Sequence, residues 1–282
     1  MNRLKSLFIS FYLTTALLFL IINIQKYIEY PDTHIWIAGI LVQAFPLLFI
    51  GKLFLIRTPR TPASFPIITM GLFGLLTLIF FNTHYDAILL KQPIIYAIYT
   101  AAGWFVYVYW YSFLPERNSP ILQVGKKLPS MEFLDLEGKP VRLNDFYGRK
   151  TVYLFYRGNW CPLCTAQIKE LADDYQELEK RDVRVVLISP QPEKYTQKLS
   201  RKFNIPFVFL VDKNNAMAKK YRLEHQAGTP MGLEVFGYAS NTVLPTVILA
   251  DASDKIVFID QTDNYRVRPE PKDFLRIFDS IL

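Results

Sequence analysis

Within its first 114 residues the chain carries four stretches nearly free of charge and long enough to cross a bilayer: 7–24, 35–56, 63–81 and 93–114. A bilayer-spanning helix needs roughly 20 mainly apolar residues, so the N-terminal part is expected to be an all-α transmembrane bundle of four helices. Charge divides the chain at the same place. Residues 1–114 hold seven of the 32 Lys/Arg and three of the 25 Asp/Glu. The first stretch follows Arg3 and Lys5 as a signal peptide would, but no small-residue cleavage site precedes Lys26, and it reads as a retained anchor.

Lys and Arg accumulate on the cytoplasmic side of membranes. With four crossings, Arg3, Lys5, Arg57, Arg60, Arg117, Lys126 and Lys127 all fall on one side. That places both termini in the cytoplasm of a multi-pass protein of a bacterial inner or plasma membrane, with membrane lipid as one partner. His34 and His84 fall on the opposite side as polar tips at the boundary. The net charge of +7 is shared almost evenly between the two halves, so no basic block marks a nucleic-acid surface.

Residues 115–127, PERNSPILQVGKK, have the prolines, glycine and charges of a linker, and 128–282 suffice for one further core. In that domain MEFLDLEGKPVRL reads as a hairpin turned at Glu137-Gly138, and TVYLFYR as a buried central strand. A helix is expected from Pro162 to about Lys180, then strand VRVVLIS, a helix over 193–203, strand FVFLVD and a short helix through Met217 to Tyr221. TVILAD and KIVFID form an edge hairpin, and PKDFLRIFDSIL an amphipathic closing helix. Strands alternating with helices give an α/β domain with a central mixed sheet. Residues 223–243 lack periodicity and read as an inserted loop.

Both cysteines of the chain, Cys161 and Cys164, stand where the central strand ends and a helix begins, with Pro162 at the first helical position. Unpaired N–H groups and the helix dipole there favour a thiolate at Cys161. Cys164, one turn on, is placed to close a redox-active disulfide with it. Cys161 would attack a disulfide or an oxidant, and Cys164 would resolve the product. Only the first thiol needs exposure. A four-residue ring removes little chain entropy, which argues against a purely structural disulfide. Two cysteines plus His225 fall short of a structural zinc site, so no metal is expected, and no cofactor beyond the Cys161–Cys164 disulfide. Arg157 could stabilise a thiolate electrostatically, or could be a solvated strand-end arginine.

The order strand, Trp160-Cys161-Pro162-Leu163-Cys164, helix, further βαβ, and a late Leu244-Pro245-Thr246 resembles the thioredoxin superfamily over 128–282. MEFLDLEGKPVRLNDFYGRK and FYRGNWCPLCTAQIKEL resemble more closely the peroxiredoxin-like redoxins of the alkyl hydroperoxide reductase and thiol-specific antioxidant group. The resemblance implies that Cys161 is the nucleophile, Cys164 its resolving partner, and Pro245 a cis-proline facing the dithiol. It also implies that Trp160, Pro162, Leu244 and Pro245 meet the substrate. The chain departs from typical peroxiredoxins at Gly158, where they carry Thr or Ser, and at Leu154, where they carry proline. The expected function is a membrane-anchored thiol-disulfide oxidoreductase. Its partners would be a protein disulfide and a thiol donor such as a thioredoxin or glutathione. A thiol peroxidase with antioxidant activity towards a peroxide substrate, or a non-catalytic redox-sensing module, are the alternatives.

Overall fold

Five consecutive buried residues, Thr151–Phe155, form strand β3, around which the C-terminal part of the chain is built. The computed structural model describes residues 2–32, 35–56, 58–65, 68–69, 71–72, 88–115, 117 and 119–281. The described residues divide into two units, one holding 2–6, 58–61 and 114–281, the other lying within 7–56 and 62–113.

In the first unit β1 (Glu132–Leu134) and β2 (Pro140–Arg142) pair as the expected hairpin, with Glu132 opposite Arg142. Its turn is set by Asp135, whose carboxylate accepts from the N–H groups of Glu137 and Lys139 at 2.8 and 2.9 Å, and by Gly138 at φ 78°. β4 (Arg184–Ser189) and β5 (Val208–Val211) run parallel to β3. Within the 223–243 segment two short strands, β6 (Glu224–His225) and β7 (Thr242–Val243), pair with each other, and a 3-10 turn spans Leu233–Phe236. The segment expected as a plain loop therefore has a base and a tip; strands of two residues are too short to show alternation. β8 (Thr246–Ala250) and β9 (Ile256–Asp260) complete the sheet on the far side of β3 as the expected antiparallel hairpin. The strand order β2-β1-β5-β4-β3-β8-β9 gives a thioredoxin-like α/β domain with a mixed sheet.

The helix expected over 162–180 is two: α4 (Pro162–Asp173) and α5 (Tyr175–Glu179), separated where Asp174 leaves the helical region at ψ 9°. α6 (Glu193–Phe203) stops at Asn204, which adopts the left-handed conformation common just past helix ends. A short α7 (Ala216–Lys220) follows β5, and the closing α8 (Pro271–Asp279) buries Phe274 and Phe278 completely. The stretch 115–127 packs into this unit: Leu122 is buried and the Gly125 N–H donates to the Ile256 carbonyl at 2.7 Å.

The N-terminal helices, numbered along the chain before α4, are α1 (Asn2–Glu29), α2 (Ile35–Leu55) and α3 (Ile88–Val106), the last running on into a π-helical turn at Tyr107–Tyr111. Among the described residues two helices, α1 and α2, are long and apolar enough to cross a membrane. α3 overlaps the fourth expected stretch, and Lys91, Pro93 and five tyrosines dilute the apolar character of 88–111. Most of the third stretch, with His34 and His84, lies outside the described residues. Within this unit Trp104 is buried between Phe45 and Phe49, each at 5.1 Å ring to ring. The buried Asn23 amide donates to Gln43 across the α1–α2 contact, and Gly39 makes room for it, since a Cβ there would stand 2.6 Å from Asn23 Nδ2.

Candidate active site

β3 delivers the chain to the loop 156–160, whose every turn is held by another element. The Tyr156 N–H donates to the Ile188 carbonyl at 2.9 Å, and the Asn159 N–H to Gln191 Oε1 at 2.8 Å. The Tyr238 hydroxyl donates to Asn159 Oδ1, and Thr242 Oγ1 to the Arg157 carbonyl at 2.8 Å. Gly158 sits at φ 149°, and a Cβ on it would lie 2.7 Å from the Trp160 indole nitrogen, so a side chain here would be strained and would displace the indole. The loop ends at Cys161, the extended residue that caps α4 ahead of Pro162.

The two sulfurs stand 2.8 Å apart as free thiols. Cys161 is 2% exposed and Cys164 0%, so the expectation of an exposed first thiol is corrected: the loop and its supports cover both. Arg268, brought in by the segment between β9 and α8, is itself buried and points Nη2 at the Cys164 sulfur from 3.5 Å. Its Nη1 donates to Gln167 Oε1 at 2.8 Å and its Nε to the Tyr265 carbonyl at 3.1 Å, which fixes the guanidinium plane.

Burial acts against ionisation of both thiols. At Cys164 it is outweighed by the hydrogen bond from Cys161, by the Arg268 charge and by Arg157, which together hold this thiol well below the ordinary cysteine range. At Cys161 burial is reinforced by the hydrogen bond to Cys164 and by its charge, and the thiol is held well above that range. The two thiols therefore titrate as a coupled pair, with Cys164 the first to lose its proton. Arg268 thus favours ionisation at Cys164, although the helix terminus alone would favour it at Cys161. A buried guanidinium needs a counter-charge, and the Cys164 thiolate supplies one.

Arg157 is buried, not solvated. Its side chain donates to the Gly228 carbonyl, and its guanidinium lies 4.8 Å from the Trp160 ring and 5.5 Å from that of Tyr265. It lowers both thiols electrostatically. Trp160 and Pro162 are partly exposed beside the dithiol. Leu244 and Pro245 are buried at the start of β8, one strand from β3, where Phe155 faces Thr246. The Pro245 carbonyl accepts from Arg117 Nη2 at 2.8 Å. Among the described residues no peptide bond is cis, which corrects the expectation for Pro245; X-Pro bonds favour trans by about 0.5–1 kcal/mol. An open groove of about 880 Å³ begins at Gln191 and is flanked by Arg3, Lys213 and Lys219. No group of three or more His, Cys, Asp or Glu that could hold a metal occurs among the described residues.

Arg268, Gln167, Gln191 and Tyr238 have no signature in the sequence. Arg268 stands 104 positions from Cys164 in YRVRPEP, and no local pattern separates it from Arg266.

The AhpC/TSA family pattern matches residues 124–259. The chain is 31% identical over 135 residues to the chloroplastic peroxiredoxin Q of Sedum lineare, covering 47% of this chain and 73% of that one. It is 28% identical over 100 residues to peroxiredoxin Bcp of Bacillus subtilis strain 168, covering 36% of this chain and 64% of that protein's length. It is 24% identical over 135 residues to the thiol-disulfide oxidoreductase ResA of Geobacillus thermodenitrificans strain NG80-2, covering 48% and 74%.

Proposed function

Since the chain belongs to the AhpC/TSA family, we propose that it is a membrane-anchored thiol-disulfide oxidoreductase working through Cys161 and Cys164. The observation that carries this reading is the geometry of the dithiol, two free cysteines with sulfurs 2.8 Å apart and Arg268 on the inner one. The proton passes from Cys161 to Cys164 along their hydrogen bond as the Cys161 sulfur attacks a disulfide. A Cys161–substrate bond forms, the substrate S–S bond breaks, and the leaving thiolate takes the proton that Cys164 had received, which returns Cys164 to the thiolate. The Cys164 thiolate then attacks Cys161, forming the Cys161–Cys164 disulfide and releasing the second substrate thiolate. Two electrons pass from dithiol to substrate, and a thiol donor of the thioredoxin or glutathione type restores them.

A peroxidase reading is favoured by the similarity to peroxiredoxins. There Cys161 would attack the O–O bond, an alcohol or water would leave, and Cys164 would condense with the sulfenic acid, releasing water. Gly158 weighs against efficient peroxide chemistry, because the hydroxyl that typical peroxiredoxins place there has no counterpart at this glycine.

The membrane reading rests on α1 and α2. The proposed orientation, with the redoxin unit cytoplasmic, rests on the one-sided distribution of Arg3, Lys5, Arg60 and Arg117. It is supported by the membership of residues 2–6 and 58–61 in the same unit as the redoxin domain.

With a disulfide substrate, a Cys164→Ser protein is expected to accumulate a covalent adduct on Cys161 that reducing agent removes, and a Cys161→Ser protein none. Exchange activity persisting in Cys161→Ser would overturn the reading.

A further inference from the structure

The insertion between β6 and β7 ends in a tip with no interior to fill. Its 3-10 turn is bracketed by Gly232 and Gly237, both left-handed, and it leaves Met231 40%, Val235 81% and Phe236 57% exposed. Its one acid, Glu234, is turned back into the loop, where its carboxylate accepts from the Gly232 N–H at 2.8 Å and from the Ser240 hydroxyl at 3.1 Å. Three neighbouring apolar side chains standing out from a tip whose one carboxylate is engaged by the loop's own N–H and hydroxyl groups mark a surface meant to be covered.

The position of the tip identifies what covers it. The Met231 N–H donates to the Ser6 carbonyl at 3.3 Å, and the Ser6 hydroxyl donates to the Thr229 carbonyl at 2.6 Å. Ser6 directly precedes Leu7, where the apolar run of α1 begins. The insertion is therefore fastened to the chain at the point of entry into a bilayer, beside the basic residues Arg3 and Lys5, which suit anionic headgroups.

We propose that Met231, Val235 and Phe236 lie in the headgroup layer of the membrane that holds α1, as a second, interfacial contact of the redoxin unit with lipid. This rests on the membrane reading above. Shallow burial of apolar side chains beside basic residues is the mode by which interfacial segments bind. The contact reaches the dithiol. The Tyr195 hydroxyl donates to the Phe236 carbonyl at 2.7 Å, Tyr195 stacks on Tyr238 at 4.6 Å, and Tyr238 holds Asn159, two residues before Cys161.

The test places single cysteines in the full chain carrying Cys161→Ser and Cys164→Ser, at Val235→Cys, at Leu18→Cys within α1 and at Glu137→Cys on the exposed β1–β2 turn. Each is labelled with an environment-sensitive fluorophore and reconstituted into phosphatidylcholine–phosphatidylglycerol vesicles containing lipid spin-labelled near the headgroup or deep in the chain. The expected result is that the label at 235 loses more than half its emission to the shallow quencher and little to the deep one, while that at 137 keeps its emission. Quenching at 18 but not at 235 would overturn this inference and leave the membrane reading standing. No quenching at 18 would overturn both. A label at 235 shielded from water yet unquenched by lipid would point to a protein partner and overturn the lipid assignment.

Discussion

Arg268 decides where the charge of the dithiol rests, because its guanidinium stands 3.5 Å from the inner sulfur and has no carboxylate among its hydrogen-bond partners. An opposite charge at such range moves an ionisation by about 1–3 pH units. Arg268→Ala is therefore expected to raise the first ionisation of the pair by that amount, and Arg268→Lys by less. The pH profile of Cys161/Cys164 alkylation by iodoacetamide measures this, and an unchanged profile would remove Arg268 from the account. Gly158 sits in a backbone region that costs other residues about 1–3 kcal/mol, with the Trp160 indole across it. Gly158→Thr is thus expected to lower the thermal midpoint of the redoxin unit without accelerating reaction with peroxide. His225 is buried and its ionisation is drawn down to about 3, by burial first and then by the charges of Arg157, Lys5 and Arg117. In the unfolded chain it titrates near about 6.5. Below that pH the unfolded state binds a proton that the folded state refuses. The stabilisation present above about 6.5 is therefore lost as pH falls towards 3, by up to about 1.4 kcal/mol per unit. Denaturant midpoints over this range should fall with acid, and less steeply in His225→Gln.

At the scale of elements, legibility followed the length and regularity of the apolar pattern. β3 and β4 are continuous apolar runs buried on both faces, and α8 buries Phe274 and Phe278 four residues apart; runs and spacings of this kind are visible in a sequence. The break at Asp174 and the two-residue strands β6 and β7 were not, because a single backbone excursion or a two-residue pairing leaves no period. The cysteine pair and its place at a strand-to-helix junction were legible for the same reason as the helix itself: Pro162 marks the first turn. The groups that support it arrive from distant segments, Arg268 after β9, Gln191 after β4 and Tyr238 from the insertion, so only folding assembles them. Between α1 and α2, Gly39 leaves room for the buried Asn23–Gln43 pair, because a side chain there would meet the Asn23 amide. Gly39→Leu is expected to force Asn23 aside and lower the thermal midpoint in detergent, whereas Gly51→Leu, with nothing within 4 Å of where its Cβ would stand, should be tolerated.

In the whole molecule an apolar N-terminal part precedes a redoxin unit that also includes residues 2–6 and 58–61. If the redoxin unit is cytoplasmic, a membrane-impermeant maleimide should leave Glu137→Cys unlabelled in intact cells and label it after lysis. The site of Glu137 is chosen because the native thiols are buried. Labelling without lysis would reverse the orientation. The central claim, that the dithiol exchanges disulfides and does not reduce peroxide efficiently, is tested most directly by stopped flow. The reduced full chain is mixed with a small disulfide or with hydrogen peroxide, and the second-order rates are compared through the fluorescence of Trp160, which adjoins Cys161. Ready, Cys161-dependent reaction with the disulfide and slow reaction with peroxide is the predicted result. Fast, Cys161-dependent reaction with peroxide would contradict it and make the protein a peroxidase in spite of Gly158.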